Sequence, residues 1–149
     1  MHTIGNGVKL LLQTGHGITA ASAETTVEEI LRFDPALHLF TRWAYEDVEM
    51  MGHRFRRGDQ VGLMLAAANR DPGAWEDADQ FRPLRPVKAN VTFGAGLHFC
   101  VGAPLARLEL QTALPILFAR CKHLRLAEAP VYADVYHFHG LRSLMVRTD

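Results

Sequence analysis

The stretch Phe93-Gly94-Ala95-Gly96-Leu97-His98-Phe99-Cys100-Val101-Gly102 is the most informative part of this sequence. Its three glycines permit backbone turns that other residues resist, and they leave room for a flat, bulky group to approach the main chain. Cys100 stands directly before a predicted helix, so its sulfur would face the free N–H groups and positive dipole of the helix start. This placement favours the thiolate, the form that binds metals.

A single thiolate beside a glycine-lined approach suits a haem iron better than zinc, which takes four ligands. Two alternatives stay open on the residues alone. Cys100 could be a buried, inert cysteine. That is what we expect of Cys121, which lies near the end of an apolar helix and packs there. A zinc site is conceivable by ligand type, although not by spacing, from His98, Cys100, Cys121 and His123.

Helical periodicity predicts three helices around this stretch. The first covers residues 1–14, and Gly15-His16-Gly17 ends it. The second covers 25–33, where Thr25 and Glu28 have the spacing of a capping box and Pro35 ends the helix. The third covers 102–121, with Pro104 in its first turn and a kink at Pro115. Its predicted apolar stripe is Leu105, Leu108, Thr112 and Ile116, widened by Leu114 and Leu117.

The remaining segments read as short strands and one long loop. Residues 40–45 and 48–50 are predicted strands, while 61–65 is either a strand or the start of a helix. Residues 70–93 show no clean period, and a loop of this length in a compact domain is usually functional. The tail from Leu124 to Val146 alternates loosely around Gly140 and predicts a hairpin.

Residues 93–102 match the pattern Phe-x-x-Gly-x-His-x-Cys-x-Gly and resemble the cysteine loop of cytochrome P450 monooxygenases. The following Ala103-Pro104-Leu105-Ala106-Arg107-Leu108-Glu109 is similar to the bacterial soluble branch. The resemblance covers nearly the whole chain, but only the C-terminal part of the family's fold. It implies a mainly α fold with small antiparallel β hairpins, forming a single partial domain over residues 1–149.

The resemblance also implies a cofactor site for haem b, iron protoporphyrin IX. Cys100 would be the axial ligand of the haem iron. Arg42 and His98 would contact the haem propionates, with a loop histidine bonded to backbone as the alternative for His98. The other residues implied to surround the cofactor are Phe93, Gly94 and Gly102.

A second implied feature is a buried Glu-Arg-Arg cluster. Glu29 and Arg32 are three residues apart and share a helix face. Arg85 resembles the arginine that completes the cluster, and one carboxylate can accept several charge-assisted hydrogen bonds from two guanidinium groups. The alternative is a surface ion pair of about 0.3–0.5 kcal/mol. The cluster would pin segment 70–93 beneath the haem.

The implied function is oxidation of a small organic substrate with molecular oxygen and two electrons. The electrons would come from NAD(P)H through a ferredoxin or reductase. Arg107 and Lys122 are candidates for the face where this partner docks. The alternative is that both lie on a solvated helix face. The resemblance covers only the cysteine side of the haem site and not its distal half. We therefore expect an incomplete enzyme, in which the haem ligand is the only catalytic group on this chain. The alternative is a truncated non-catalytic remnant or haem-binding module.

Composition limits the remaining possibilities. The chain has 149 residues, of which 48% are apolar and 21% charged, with 16 basic and 16 acidic side chains. This balance argues against a nucleic-acid partner driven by bulk charge. No apolar run reaches the length of a membrane span, and we expect no signal peptide. Two cysteines cannot form a disulfide framework, which indicates a reducing, cytoplasmic location.

Overall fold

The computed structural model describes residues 2–149 as helices with four small two-stranded antiparallel sheets, which confirms the predicted fold class. Its helices are α1 (His2–Thr14), α2 (Ala23–Phe33), α3 (Leu65–Ala68) and α4 (Ala103–Arg120). Its strands are β1 (Leu39–Trp43), β2 (Val48–Met50), β3 (His53–Phe55), β4 (Gln60–Met64), β5 (Arg125–Leu126), β6 (Val131–Tyr132), β7 (Leu141–Ser143) and β8 (Val146–Arg147). Short 3-10 turns lie at Ala20–Ser22 and Gly96–His98.

The core forms where α1, α2 and α4 meet. Leu11 of α1, Val27 and Ile30 of α2, and Leu110 and Leu114 of α4 are almost completely buried in one cluster. Burying a large aliphatic side chain contributes about 1.5–3 kcal/mol. This cluster holds α2 against α4, and these two helices carry the residues that support the cysteine loop.

The start of α2 differs from the prediction. The helix begins at Ala23, and the capping box lies one turn earlier, where Thr19 Oγ1 accepts from the Ser22 N–H at 3.3 Å and Ser22 Oγ accepts from the Thr19 N–H at 3.1 Å. Thr25 is therefore inside the helix, and its hydroxyl donates to the Ser22 carbonyl. The Thr25–Glu28 spacing was a false signal because a 3-10 turn precedes the helix and moves its start.

The two central hairpins are nested. β1 pairs with β4, placing Leu39 opposite Met64, and the β2–β3 hairpin is inserted between them. The turn of this inner hairpin uses Met51 and Gly52, both with positive φ. Segment 61–65 resolves into a strand that ends at Met64 and a short helix that begins at Leu65.

The tail also forms nested pairs rather than one hairpin. β5 pairs with β8, and β6 pairs with β7 across an irregular register at Val131 and Tyr132. An isolated bridge between Leu37 and Phe138 fixes the tail beside the segment that follows α2.

The central residues of the predicted apolar stripe of α4 were wrong, because they face solvent. Leu105, Leu108 and Ile116 are 59%, 61% and 47% exposed. The buried residues of the helix are Leu114, which the prediction included, and Ala103 and Leu110, which it did not. Apolar side chains surround α4, so periodicity could not identify the face that meets α2. The buried positions fall on one face at spacings of seven and four residues, and Arg107 shares that face.

Candidate functional site

The cysteine loop is a tight, internally hydrogen-bonded turn. Gly94 and Gly96 have φ of +75° and +68°, the left-handed region that favours glycine. The Gly94 N–H donates to the Val91 carbonyl at 2.8 Å, and the Phe99 N–H donates to the Gly96 carbonyl at 3.0 Å. The Cys100 N–H closes the loop on the Phe93 carbonyl at 3.0 Å. The backbone therefore fixes the position of Cys100.

Cys100 lies at the junction between this loop and α4. Its carbonyl accepts from the Ala103 N–H at 3.2 Å, and the helix begins at Ala103 with Gly102 before it and Pro104 in its first turn. The Cys100 residue is exposed and its thiol is free. It is therefore not the buried, inert cysteine of the alternative prediction.

Cys100 opens onto a cavity of about 530 Å³. The lining is mostly apolar, and its residues come from α1, α2, the segment after α2, β1, the cysteine loop with the residue before it, and the tail: Thr3, Leu31, Ala36, Leu37, Phe40, Thr92, Phe93, His98, Phe99, Cys100, Val101 and Phe138. Binding sites for small molecules and cofactors are commonly of this size and character. One thiol in a mostly apolar wall fits a large, flat, apolar group held by a single sulfur ligand.

The structure distributes the predicted cofactor residues unevenly around this cavity. Phe93 and His98 line it, and Gly94 and Gly102 shape the loop backbone on either side of them. Arg42 lies on exposed β1 and is not a lining residue; its Nη1 donates to the Thr41 carbonyl at 2.9 Å. Its guanidinium also packs over the ring of Phe40, 5.4 Å from the centroid, and Phe40 does line the cavity.

Glu29, Arg32 and Arg85 come together in a buried cluster. Arg32 binds Glu29 through two hydrogen bonds of 2.8 Å, and the Arg85 Nε donates to Glu29 Oε2 at 3.1 Å. The two arginines also donate to loop carbonyls of Asn69, Glu76, Asp77, Ala78 and Gln80. The guanidinium groups thus pin the irregular segment that follows α3 onto α2.

An asparagine and a threonine that the sequence analysis did not single out complete this support. The Asn69 side chain donates to Thr92 Oγ1 at 2.8 Å and accepts from the Val91 N–H at 2.8 Å. The Thr92 hydroxyl donates in turn to the Leu31 carbonyl at 2.7 Å. Both side chains are buried, so they fix the entry to the cysteine loop against α2. Their sequence spacing carries no signal, because they meet only through the fold.

Two histidines also meet an ion pair that the sequence did not predict. Lys9 Nζ lies 2.5 Å from Asp34 Oδ2 and 2.6 Å from the Tyr132 hydroxyl. The His139 ring stacks between His38 and Tyr132, with centroids 4.3 and 4.1 Å away. Burial opposes the Lys9 charge, but its hydrogen bonds to Asp34 and Tyr132 raise the pKa of Lys9 overall.

Burial lowers the pKa of both histidines in this group. For His38, the neighbouring His139 adds to the effect of burial. For His139, burial is the largest cause, the charge of Asp34 opposes it, and the charges of Lys9 and Arg70 add to the lowering of the pKa. Neutral imidazole is therefore favoured in this part of the fold.

The fold separates the ligands of the alternative zinc site. The 18 residues of α4 lie between Cys100 and Cys121, and a helix of that length spans about 27 Å. Among residues 2–149, the group with metal-ligand spacing is Asp34, His38 and His139, and Cys100 is not part of it. Cys100 is thus available as a single sulfur ligand.

Comparison with known proteins identifies the family. The sequence model named Cytochrome P450 matches residues 23–131. The chain belongs to the cytochrome P450 family. A putative cytochrome P450 140 of Mycobacterium tuberculosis is 38% identical over 98% of this chain, and PksS, a polyketide biosynthesis cytochrome P450 of Bacillus subtilis, is 42% identical over 82%. The chain spans only 35% and 31% of the length of these relatives.

Solved structures match the fold closely. The Bacillus subtilis PksS structure superposes with a TM-score of 0.92, covering 97% of this chain and 40% of its own at 34% identity. P450BioI, solved in complex with an acyl carrier protein ligated to hexadec-9Z-enoic acid, gives a TM-score of 0.91 at 37% identity, covering 97% of this chain and 39% of its own. The P450 family implies a haem cofactor. No helix within residues 2–149 is both long and apolar enough to cross a membrane.

Proposed function

We propose that this protein supplies the haem-thiolate portion of a cytochrome P450 monooxygenase and that haem b binds in the cavity beside Cys100. The observation that carries the proposal is the single free thiol at the mouth of a mostly apolar 530 Å³ cavity. A thiolate-ligated haem supplies oxygen activation, because the sulfur pushes electron density onto the iron and favours O–O cleavage. Residues 1–149 would act as one partial domain.

Each predicted site residue has a distinct part in this proposal. Cys100 is the iron ligand, and Phe93, Gly94 and Gly102 shape the loop that presents it. His98 lines the cavity and would contact a propionate. Arg42 would reach a propionate from β1 by leaving the Thr41 carbonyl. Glu29, Arg32 and Arg85 hold the segment that follows α3 against α2.

The substrate would be a small organic molecule, and the electrons would come from NAD(P)H through a ferredoxin or a reductase in the cytoplasm. Family membership supports this assignment, as do the mostly apolar cavity and the two unpaired cysteines. P450BioI binds a fatty acid on a carrier protein, so a carrier-bound acyl chain is one form that such a substrate could take.

Haem titration tests the proposal. The purified chain is mixed with haem and reduced, and carbon monoxide is added. We expect one equivalent of haem to bind and a thiolate-type carbon monoxide spectrum to develop. Failure to bind haem, or a spectrum without thiolate character in wild-type protein, would overturn the proposal.

A non-catalytic haem-binding module is the second candidate. The observation that favours it is the exposure of the cavity's cysteine side, where Leu97 and Val101 are almost fully exposed and Cys100 is accessible. Stoichiometric haem binding without substrate oxidation, in the presence of a reductase partner, would favour this candidate over the monooxygenase.

A further inference from the structure

We propose that the ion pair between Glu28 and Arg107 is a positioning device for Cys100, acting through Phe93. This inference rests on the proposed function for its consequence at the haem. The positioning itself is a property of the chain's own contacts. The pair links α2 to α4, and its cation lies against the first residue of the cysteine loop.

The Glu28–Arg107 pair is bidentate and mostly shielded from solvent. Arg107 Nε lies 2.5 Å from Glu28 Oε1, and its Nη2 donates to Oε2 at 3.1 Å. The Arg107 side chain is 28% exposed and the Glu28 side chain is 11% exposed. Bidentate pairs fix the orientation of the guanidinium plane as well as its position. Arg107 is thus committed to an interior contact rather than to a solvated docking face.

Glu28 also reaches the segment that leads into the cysteine loop. Its Oε2 accepts from Asn90 Nδ2 at 3.2 Å, and the Asn90 Oδ1 accepts from the Thr92 N–H at 3.2 Å. One carboxylate therefore ties three parts of the fold together, namely α2, α4 and the entry to the loop. Sequence analysis assigned Glu28 to a helix cap that the structure does not form.

Arg107 transmits this constraint to Cys100 through an aromatic ring. Its guanidinium lies 4.9 Å from the ring centroid of Phe93, within range of a cation–π contact. The Phe93 carbonyl accepts the Cys100 N–H at 3.0 Å. The orientation of Phe93 therefore sets the hydrogen bond that fixes the cysteine backbone.

Groups around a metal ligand tune that ligand by orienting it and by setting its electrostatic surroundings. Loss of Glu28 would free Arg107 from its fixed plane and leave its charge unneutralised beside Phe93. Replacing Arg107 with lysine would keep the charge but lose the planar, bidentate contact. Both changes should loosen the Phe93–Cys100 hydrogen bond while leaving the apolar core intact.

Amide hydrogen exchange on the intact chain tests the positioning directly. The variants are Glu28→Gln and Arg107→Lys, and Glu24→Gln on the exposed side of α2 is the matched control. We expect the Cys100 amide to exchange about tenfold faster in both variants. The Phe93–Cys100 hydrogen bond then opens more easily, because the Glu28–Arg107 pair no longer holds Phe93 in place. The amides of Val27 and Leu31 should keep their protection, and the control should match wild type.

The haem-loaded protein gives a second readout. We expect Glu28→Gln and Arg107→Lys to shift the reduction potential and carbon monoxide spectrum of the haem, while Glu24→Gln leaves both unchanged. If the amide exchange rate of Cys100 rises only together with those of Val27 and Leu31, the inference is overturned, because the pair then stabilises the whole fold and does not position Cys100. Weaker reductase binding with unchanged exchange would overturn it in favour of a docking role.

The proposed function and this inference fail separately. Should the wild-type chain bind no haem, the proposed function fails, while the exchange measurement still decides whether the pair positions Cys100. Should haem bind with thiolate character but exchange and potential stay at wild-type values in both variants, only the inference fails.

Discussion

Cys100 and Cys121 form an internal comparison at the scale of single residues. Cys100 is exposed at the cavity, whereas Cys121 follows the last turn of α4 and is half-buried there. We expect Cys100→Ser to abolish the thiolate spectrum of the haem-loaded protein, because serine does not provide a thiolate. Cys121→Ser should retain the spectrum. Equal loss in both variants, measured by carbon monoxide difference spectroscopy, would contradict the ligand assignment.

Arg32 is the most connected side chain of the buried cluster. It donates two hydrogen bonds to Glu29 and one to each of the carbonyls of Asn69, Ala78 and Gln80. Arg32→Ala should lower the free energy of unfolding by about 3–5 kcal/mol, since it leaves a buried carboxylate short of its partner.

The matched control for Arg32 is Arg82, whose guanidinium pairs with Asp77 in an exposed ion pair. Arg82→Ala should cost no more than about 1 kcal/mol. Urea unfolding of the two variants makes the comparison, and similar losses in both would show that the cluster behaves as a surface network.

Residue-level prediction from the sequence succeeded where the partners share a helix or a motif. The spacing of Glu29 and Arg32 placed them on one face, and the resemblance placed Arg85 with them. The backbone acceptors of both arginines come from an aperiodic loop, so no pattern could have indicated them. Asn69, Thr92 and the Glu28–Arg107 pair were missed for the same reason, since their contacts form only after the fold is complete.

At the scale of elements, α4 shows the limit of periodicity. Its length and the position of Pro104 in its first turn were predictable, but its buried face was not, because apolar residues lie on several faces. Leu110→Ala should lower the free energy of unfolding by about 2–5 kcal/mol through loss of burial and a residual cavity. Leu108→Ala, on the exposed side, should change it by about 0.5 kcal/mol or less. Thermal or urea unfolding checks this, and a larger loss for Leu108 would reverse the assigned face.

The contact between α1, the end of α2 and the tail predicts a pH-dependent stability. His38 and His139 both have a folded-state pKa below the ordinary value of 6.5, chiefly because of burial. The unfolded chain therefore binds more protons in weakly acidic solution, and stability must fall as pH falls. The contribution is fully present above about pH 6.5 and is lost as pH drops through the lowered folded values.

Urea unfolding between pH 8 and pH 5 measures this dependence. We expect the free energy of unfolding to fall across the acid side of the range, and the double variant His38→Gln/His139→Gln to show a shallower slope. Asp34, Lys9 and Arg70 face the same pair, so the ion pair between Lys9 and Asp34 should be kept intact in both proteins. An unchanged slope in the double variant would refute the role of the two histidines.

At the scale of the whole molecule, the sequence predicted the fold class, because the cysteine loop that carries the family resemblance is a continuous motif. The nesting of β2–β3 between β1 and β4, and of β6–β7 between β5 and β8, was not predictable from strand periodicity. The same holds for the cavity. It depends on the Leu37–Phe138 bridge, which joins segments about one hundred residues apart and determines where the tail meets the loop.

The last prediction concerns the activity of the isolated chain. Its cavity is open on the cysteine side, where His98 to Val101 are exposed. The chain also spans only about two-fifths of the length of the solved relatives. Oxygen activation needs exclusion of bulk water and ordered proton delivery. We therefore expect the isolated chain with haem, electrons and a reductase to consume reductant without coupled product formation. A complete PksS enzyme serves as the positive control. Substrate-dependent product from the isolated chain, quantified against reductant consumed, would show that a second copy of the chain or another of its own segments closes the cavity.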